Sequence, residues 1–82
     1  MSKALIVLAS STSAYSVKTM LETRYKINTK IIQTPAAISS LGCSYCLEID
    51  IFNLRTALKL IKASDFSVRG VYDAYNYSKI NC

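Results

Sequence analysis

Three cysteines, Cys43, Cys46 and Cys82, and no histidine define the chemistry open to this chain. Without histidine there is no Cys–His or Ser–His nucleophile pair and no His-containing zinc site. What remains is cysteine, carboxylate, lysine, tyrosine and backbone chemistry. A lone cysteine in a small domain ordinarily serves as a buried apolar residue. Cys43, however, follows Gly42 in a Gly/Ser stretch and lies outside any apolar stripe. Gly42 allows a tight turn that leaves the sulfur open, so Cys43 is read as a nucleophilic thiol. Cys43-Ser44-Tyr45-Cys46 also forms a CxxC, in which the first thiol attacks and the second resolves. Here the motif enters a strand instead of opening a helix. Along an extended strand the two sulfurs project to opposite faces and meet only if the loop curls. Cys46 is thus the candidate resolving thiol, and a CxxC redox domain is a lesser alternative. One CxxC with the remote Cys82 supplies three ligands where a metal site needs about four, so neither a metal nor a cofactor is expected.

The elements that must position these residues follow from hydrophobic period. Lys3–Ala9 is an apolar strand with Leu5 and Val7 on one face and Ala4, Ile6 and Leu8 on the other. Two apolar faces place it centrally, covered on both sides. Ser10-Ser11-Thr12-Ser13 supplies N-cap residues. A first helix is predicted over about Thr12–Lys26, from Ala14, Val17, Leu21 and Tyr25 at helical spacing. It is broken by Asn28. A second strand spans about Thr29–Thr34 and stops at Pro35, which cannot donate to a ladder. Strand three, about Tyr45–Ile51, alternates Tyr45, Leu47, Ile49 and Ile51 against Cys46, Glu48 and Asp50. Asp50 then caps a second helix, about Phe52–Ala63, with Leu54, Ala57, Leu58 and Ile61 as its stripe. Strand four is about Phe66–Tyr72.

The order β-α-β-β-α-β with short links predicts an α+β fold: a two-layer ferredoxin-like βαββαβ sandwich with a four-stranded antiparallel sheet and both helices on one face. Right-handed crossovers place strands one and three in the centre. Residues 1–72 form one domain, and 73–82 are read as a polar tail. Strands one and two run parallel and end at the same edge of the sheet. The helix start at Ser10, Ser11 and Thr12 therefore neighbours the loop from Pro35 to Cys43. Helix N-termini favour negative charge, and a thiol held there is pushed toward thiolate.

These residues resemble a family of small proteins described as selenium/sulfur carrier-like, a domain family of unknown function. The resemblance rests on Thr34-Pro35, Ile38-Ser39-Ser40, Cys43, Leu47 and Ile49, then Asp50, the Leu54–Ile61 helix and Val68–Tyr72. This chain has Ser44 where the family usually has glycine, and Ala36-Ala37 where a charged pair often follows the proline. The resemblance implies that Cys43 is the carrier thiol, with sulfur or selenium borne as a persulfide-type adduct. The loop residues Ser39, Ser40 and Gly42 and the helix start at Ser10, Ser11 and Thr12 would then bind the cargo. A carrier receives the atom from a donor protein and passes it to an acceptor, with no turnover of its own, so no enzyme is implied. The alternative is a protein-interaction module with an incidental cysteine.

Composition bounds the partners. Eighty-two residues, 51% hydrophobic, with two glycines and one proline, describe a globular domain near the small end. No apolar run reaches the roughly 18–20 residues of a membrane span, and a cytoplasmic location is expected. The net charge of +5 comes from ten dispersed cations against five acids, which reads as an ordinary solvated surface. Nucleic-acid binding by this layout needs aromatics on the open face of the central strands. Strand three offers Cys46, Glu48 and Asp50 there, so that reading ranks below the carrier. Leu5 and Val7 on the same face predict a cover, either a second copy in a homodimer or the segment beginning at Asp73.

Overall fold

The computed structural model describes residues 2–38 and 45–80. Strand β1 (Lys3–Leu8) leads into helix α1 (Ser11–Arg24), then β2 (Thr29–Gln33), β3 (Tyr45–Asp50), helix α2 (Ile51–Ala63) and β4 (Val68–Asp73). The strands form one sheet in the order β2-β3-β1-β4, and every pairing is antiparallel. This is the ferredoxin-like βαββαβ sandwich that the element order predicts, with β1 and β3 central.

The alternation of β1 divides the interior into two layers. Ala4, Ile6 and Leu8 join Leu47 and Ile49 of β3 and Val71 of β4 beneath Ala14, Val17 and Leu21 of α1 and Leu54, Ala57, Leu58 and Ile61 of α2. Leu5 and Val7 point the other way and bury themselves with Cys46 and Ile38, flanked by Ile32, Tyr72 and Ala74. The second cluster lies on the side away from the helices, so the face that the sequence left bare is covered from within the chain. Ile38, from the turn after Pro35, and Ala74, just past β4, provide the cover.

Both helices carry side-chain caps. Ser10 Oγ accepts from the Ser13 N–H at 3.1 Å to start α1. Asp50 Oδ1 accepts from the Phe52 N–H at 3.0 Å to start α2. The end of α1 differs from expectation, whereas α2 ends at Ala63 as expected. The chain leaves α1 at Arg24, and Lys26 takes a left-handed turn with φ of 55°, so Tyr25 becomes an exposed C-cap instead of a member of the stripe. α2 closes in the same manner around Asp65, with φ of 65°. There the Asp65 N–H donates to the Lys62 carbonyl and the Phe66 N–H to the Ile61 carbonyl, both at 3.2 Å. This six-to-one, five-to-two pattern satisfies the orphan carbonyls of the last turn.

Beyond β4 the chain turns back. Asp73 Oδ1 accepts from the Tyr75 N–H at 2.7 Å, the Tyr77 N–H donates to the Asp73 carbonyl, and Ile80 donates to the Val71 carbonyl at 2.8 Å. Lys79 bridges to Tyr72, which closes the outer edge of β4. β2 keeps its outer edge unpaired among the described residues. A register shift between Val7 and Leu8 sets Val7 against Gly70 and Leu8 against Val68, so Arg69 is the extra residue of a bulge. No helix among the described residues is long and apolar enough to cross a membrane.

Candidate functional site

Register places the candidate site at one edge of the sheet. Val7 of β1 and Ile32 of β2 both oppose Cys46, so these three residues lie in one row across the sheet. Three residues beyond Val7 the chain reaches Ser10, and two beyond Ile32 it reaches Thr34. The carboxyl ends of β1 and β2, the start of β3 at Tyr45 and the start of α1 therefore share an edge. Ile38 and Tyr45 are the described residues that flank the loop. Cys43, Ser39, Ser40 and Gly42, the centre of the sequence-predicted site, lie outside the described residues, as does Cys82.

The helix start is described in full. The Ser10 hydroxyl is engaged in capping: it accepts from the Ser13 backbone and donates to Ser13 Oγ at 3.1 Å. The Ser10 carbonyl accepts from Ala14 at 3.1 Å. What this edge offers an anion is therefore the backbone N–H groups of Ser11 and Thr12, which have no intrahelical acceptor.

Cys46 is fully buried, at 0% exposure, inside the cluster of Leu5, Val7 and Ile38. The Ile38 side chain lies over that cluster and is itself 5% exposed. This burial keeps the Cys46 sulfur from solvent unless the cover opens.

Thr34 has no place among the candidate residues taken from the sequence. It is 8% exposed, and its Oγ1 has no hydrogen-bond partner among the described residues. A buried hydroxyl without a partner carries a desolvation cost, and this one directly follows β2, at the start of the connection toward β3. Its one sequence signal is the Thr34-Pro35 pair. Among the described residues no three of His, Cys, Asp and Glu gather as a metal site does.

A ferredoxin-like domain is the class of protein that the fold defines, and its sequence carries a cysteine between β2 and β3. The chain belongs to the family described as Putative Se/S carrier protein-like, whose model matches residues 3–73. No curated protein and no solved structure matches the chain.

Proposed function

We propose that this protein carries sulfur or selenium on Cys43, taking it from a donor protein and delivering it to an acceptor. One observation carries the reading. The span that matches the carrier-like family contains two cysteines, Cys43 and Cys46, and Cys46 is sealed in an apolar cluster. That burial favours Cys43 as the thiol available for cargo. A resolving role for Cys46 toward a partner's thiol requires its apolar cover to open.

The transfer is a thiol exchange without net oxidation. The Cys43 thiolate attacks the terminal sulfur of a donor persulfide. The donor's S–S bond breaks as the new one forms, and the donor leaves as a thiolate. Cys43 is left with one additional sulfur, and delivery repeats the step with the acceptor as nucleophile. A selenium cargo follows the same course. The N–H groups of Ser11 and Thr12, the unpartnered Thr34 hydroxyl, and Ser39, Ser40 and Gly42 are the donors proposed to hold the anionic forms. Short, charge-assisted hydrogen bonds of this type favour the anion over the neutral thiol.

The test is pH-dependent alkylation by iodoacetamide, read by peptide mass spectrometry at each cysteine, followed by loading from a cysteine desulfurase with free cysteine. The expected result is a Cys43 reaction midpoint well below the model thiol value of about 8.5, and a gain of one sulfur on the Cys43 peptide. If Cys43 reacts no faster than Cys82 and takes up no sulfur, the carrier reading fails and an interaction module takes its place.

A further inference from the structure

Four of the ten basic residues dispersed along the sequence, Arg55, Lys59, Lys62 and Lys79, lie on one side of the fold. α2 runs from Ile51 to Ala63 with Arg55, Lys59 and Lys62 and with no acidic residue. Its buried face is Leu54, Ala57, Leu58 and Ile61, so the three cations stand on the exposed face with Phe52, which is 82% exposed. Arg55, Leu58 and Lys62 follow one another at spacings of three and four and share a row on the helix.

That row borders a cleft of about 260 Å³ between α2, β4 and the returning C-terminal segment. Leu58, Val68, Val71 and Ile80 give the cleft an apolar floor, and Lys62 and Lys79 stand at its rim. Among the described residues the ion pair formed is Lys18 with Glu22, so neither the cations of α2 nor Lys79 is neutralised. The nearby carboxylate of Asp73 is engaged with the backbone of its own turn. The helix thus holds Arg55 and Lys59 at i, i+4 with no acid within its own span, and Asp65 just past its end forms no ion pair among the described residues, an arrangement that disfavours the isolated helix and favours contact with an opposite charge.

We propose that the α2–β4 cleft is a docking surface for an acidic protein segment, with an aliphatic side chain entering the cleft and carboxylates meeting Arg55, Lys62 and Lys79. The aliphatic floor accepts a leucine or isoleucine side chain and gives a nucleic-acid base nothing to stack on, which favours protein over nucleic acid. Charge complementarity of this type raises association rates and weakens with salt. The surface is independent of Cys43 and stands whether or not that thiol carries cargo.

The probe is a fluorescein-labelled synthetic helical peptide with a leucine stripe and a glutamate-rich opposite face. Binding to the full chain is followed by anisotropy and by amide shifts in NMR spectra. Shifts are expected at α2, Val71 and Ile80, with affinity falling as salt rises. Replacing the peptide's leucines with serine abolishes the cleft shifts. Arg55→Glu weakens binding about tenfold by removing one rim attraction and adding a repulsion. Because Arg55 is exposed and the change turns its repulsion with Lys59 into an i, i+4 attraction, the variant is expected to fold, and its circular dichroism and melting curve separate a loss of binding from a loss of structure. Three results overturn the inference: no salt-sensitive binding, shifts confined to Lys3, Lys26 and Lys30 at the opposite edge, or equal binding of an oligothymidine strand at α2.

Discussion

Replacing Ile38 with alanine tests the cover over the second apolar layer. Ile38 is 5% exposed and packs on Leu5, Val7 and Cys46. The change removes three carbons, and at about 0.8 kcal/mol per buried methylene the transfer loss is roughly 2.4 kcal/mol. Ile38 sits on a turn and not between two layers of regular structure, so the site can collapse and little cavity cost is added. A net loss of about 2 kcal/mol is expected, which for a domain of this size lowers the melting temperature by about 8–16 °C. The domain still folds, since stabilities of about 5–15 kcal/mol are usual. Two readouts apply: urea unfolding with an unchanged slope, and alkylation of Cys46 by N-ethylmaleimide under native conditions. If Cys46 reacts through opening, a 2 kcal/mol loss raises its rate roughly thirty-fold. A stability change under about 0.5 kcal/mol with no gain in Cys46 reactivity would refute the packing of Ile38 on the sheet.

Helix α2 provides three further tests by chemical denaturation, two at its ends and one on its exposed face. Asp50→Ala removes the acceptor for the Phe52 N–H and should cost about 1 kcal/mol, with Asp50→Asn recovering most of it. Asp65→Gly relieves a non-glycine residue at φ of 65° and removes an acid from a helix C-terminus, so a gain of about 0.5–1 kcal/mol is expected. Arg55→Glu turns the Arg55–Lys59 repulsion into an i, i+4 attraction and should stabilise the free domain by about 0.4–1 kcal/mol. If instead it destabilises the domain, Arg55 makes contacts that its exposure conceals.

The parts of this fold that the sequence discloses are those fixed by local period. Two apolar faces on β1 gave its central position, and the Leu54–Ile61 stripe with Asp50 before it gave α2 and its cap. The exit from α1 is hidden in the sequence because a left-handed Lys26 leaves no compositional trace where glycine would. Cys46 illustrates a different limit. Alternation assigns it correctly to the face opposite the helices, yet nothing local announces that Ile38 returns to bury it. The segment after Asp73 reads as polar because much of its order comes from backbone hydrogen bonds and an Asp73 turn, with only Ala74 and Ile80 packing on the apolar clusters. Arg55, Lys62 and Lys79 look scattered for the same reason, since only the pairing of Lys79 with Tyr72 brings the last of them beside α2. The Thr34 hydroxyl became conspicuous only through its burial without a partner.

The central place of β1 has a consequence during synthesis. It is synthesised before the other strands of this sheet, yet its partners are Tyr45–Asp50 and Val68–Asp73. At about 5–20 residues per second, the nascent chain holds Lys3–Leu8 without its second neighbour for roughly 3–13 s. An unpaired, uncharged Ala-Leu-Ile-Val-Leu segment is well suited to intermolecular strand pairing in that interval. Helix α1 can form early but cannot cover both faces, so the nascent chain depends on chaperone shielding or on rapid completion of β4. Production yield of this domain should therefore respond to translation rate and temperature more than the stability of the finished fold suggests.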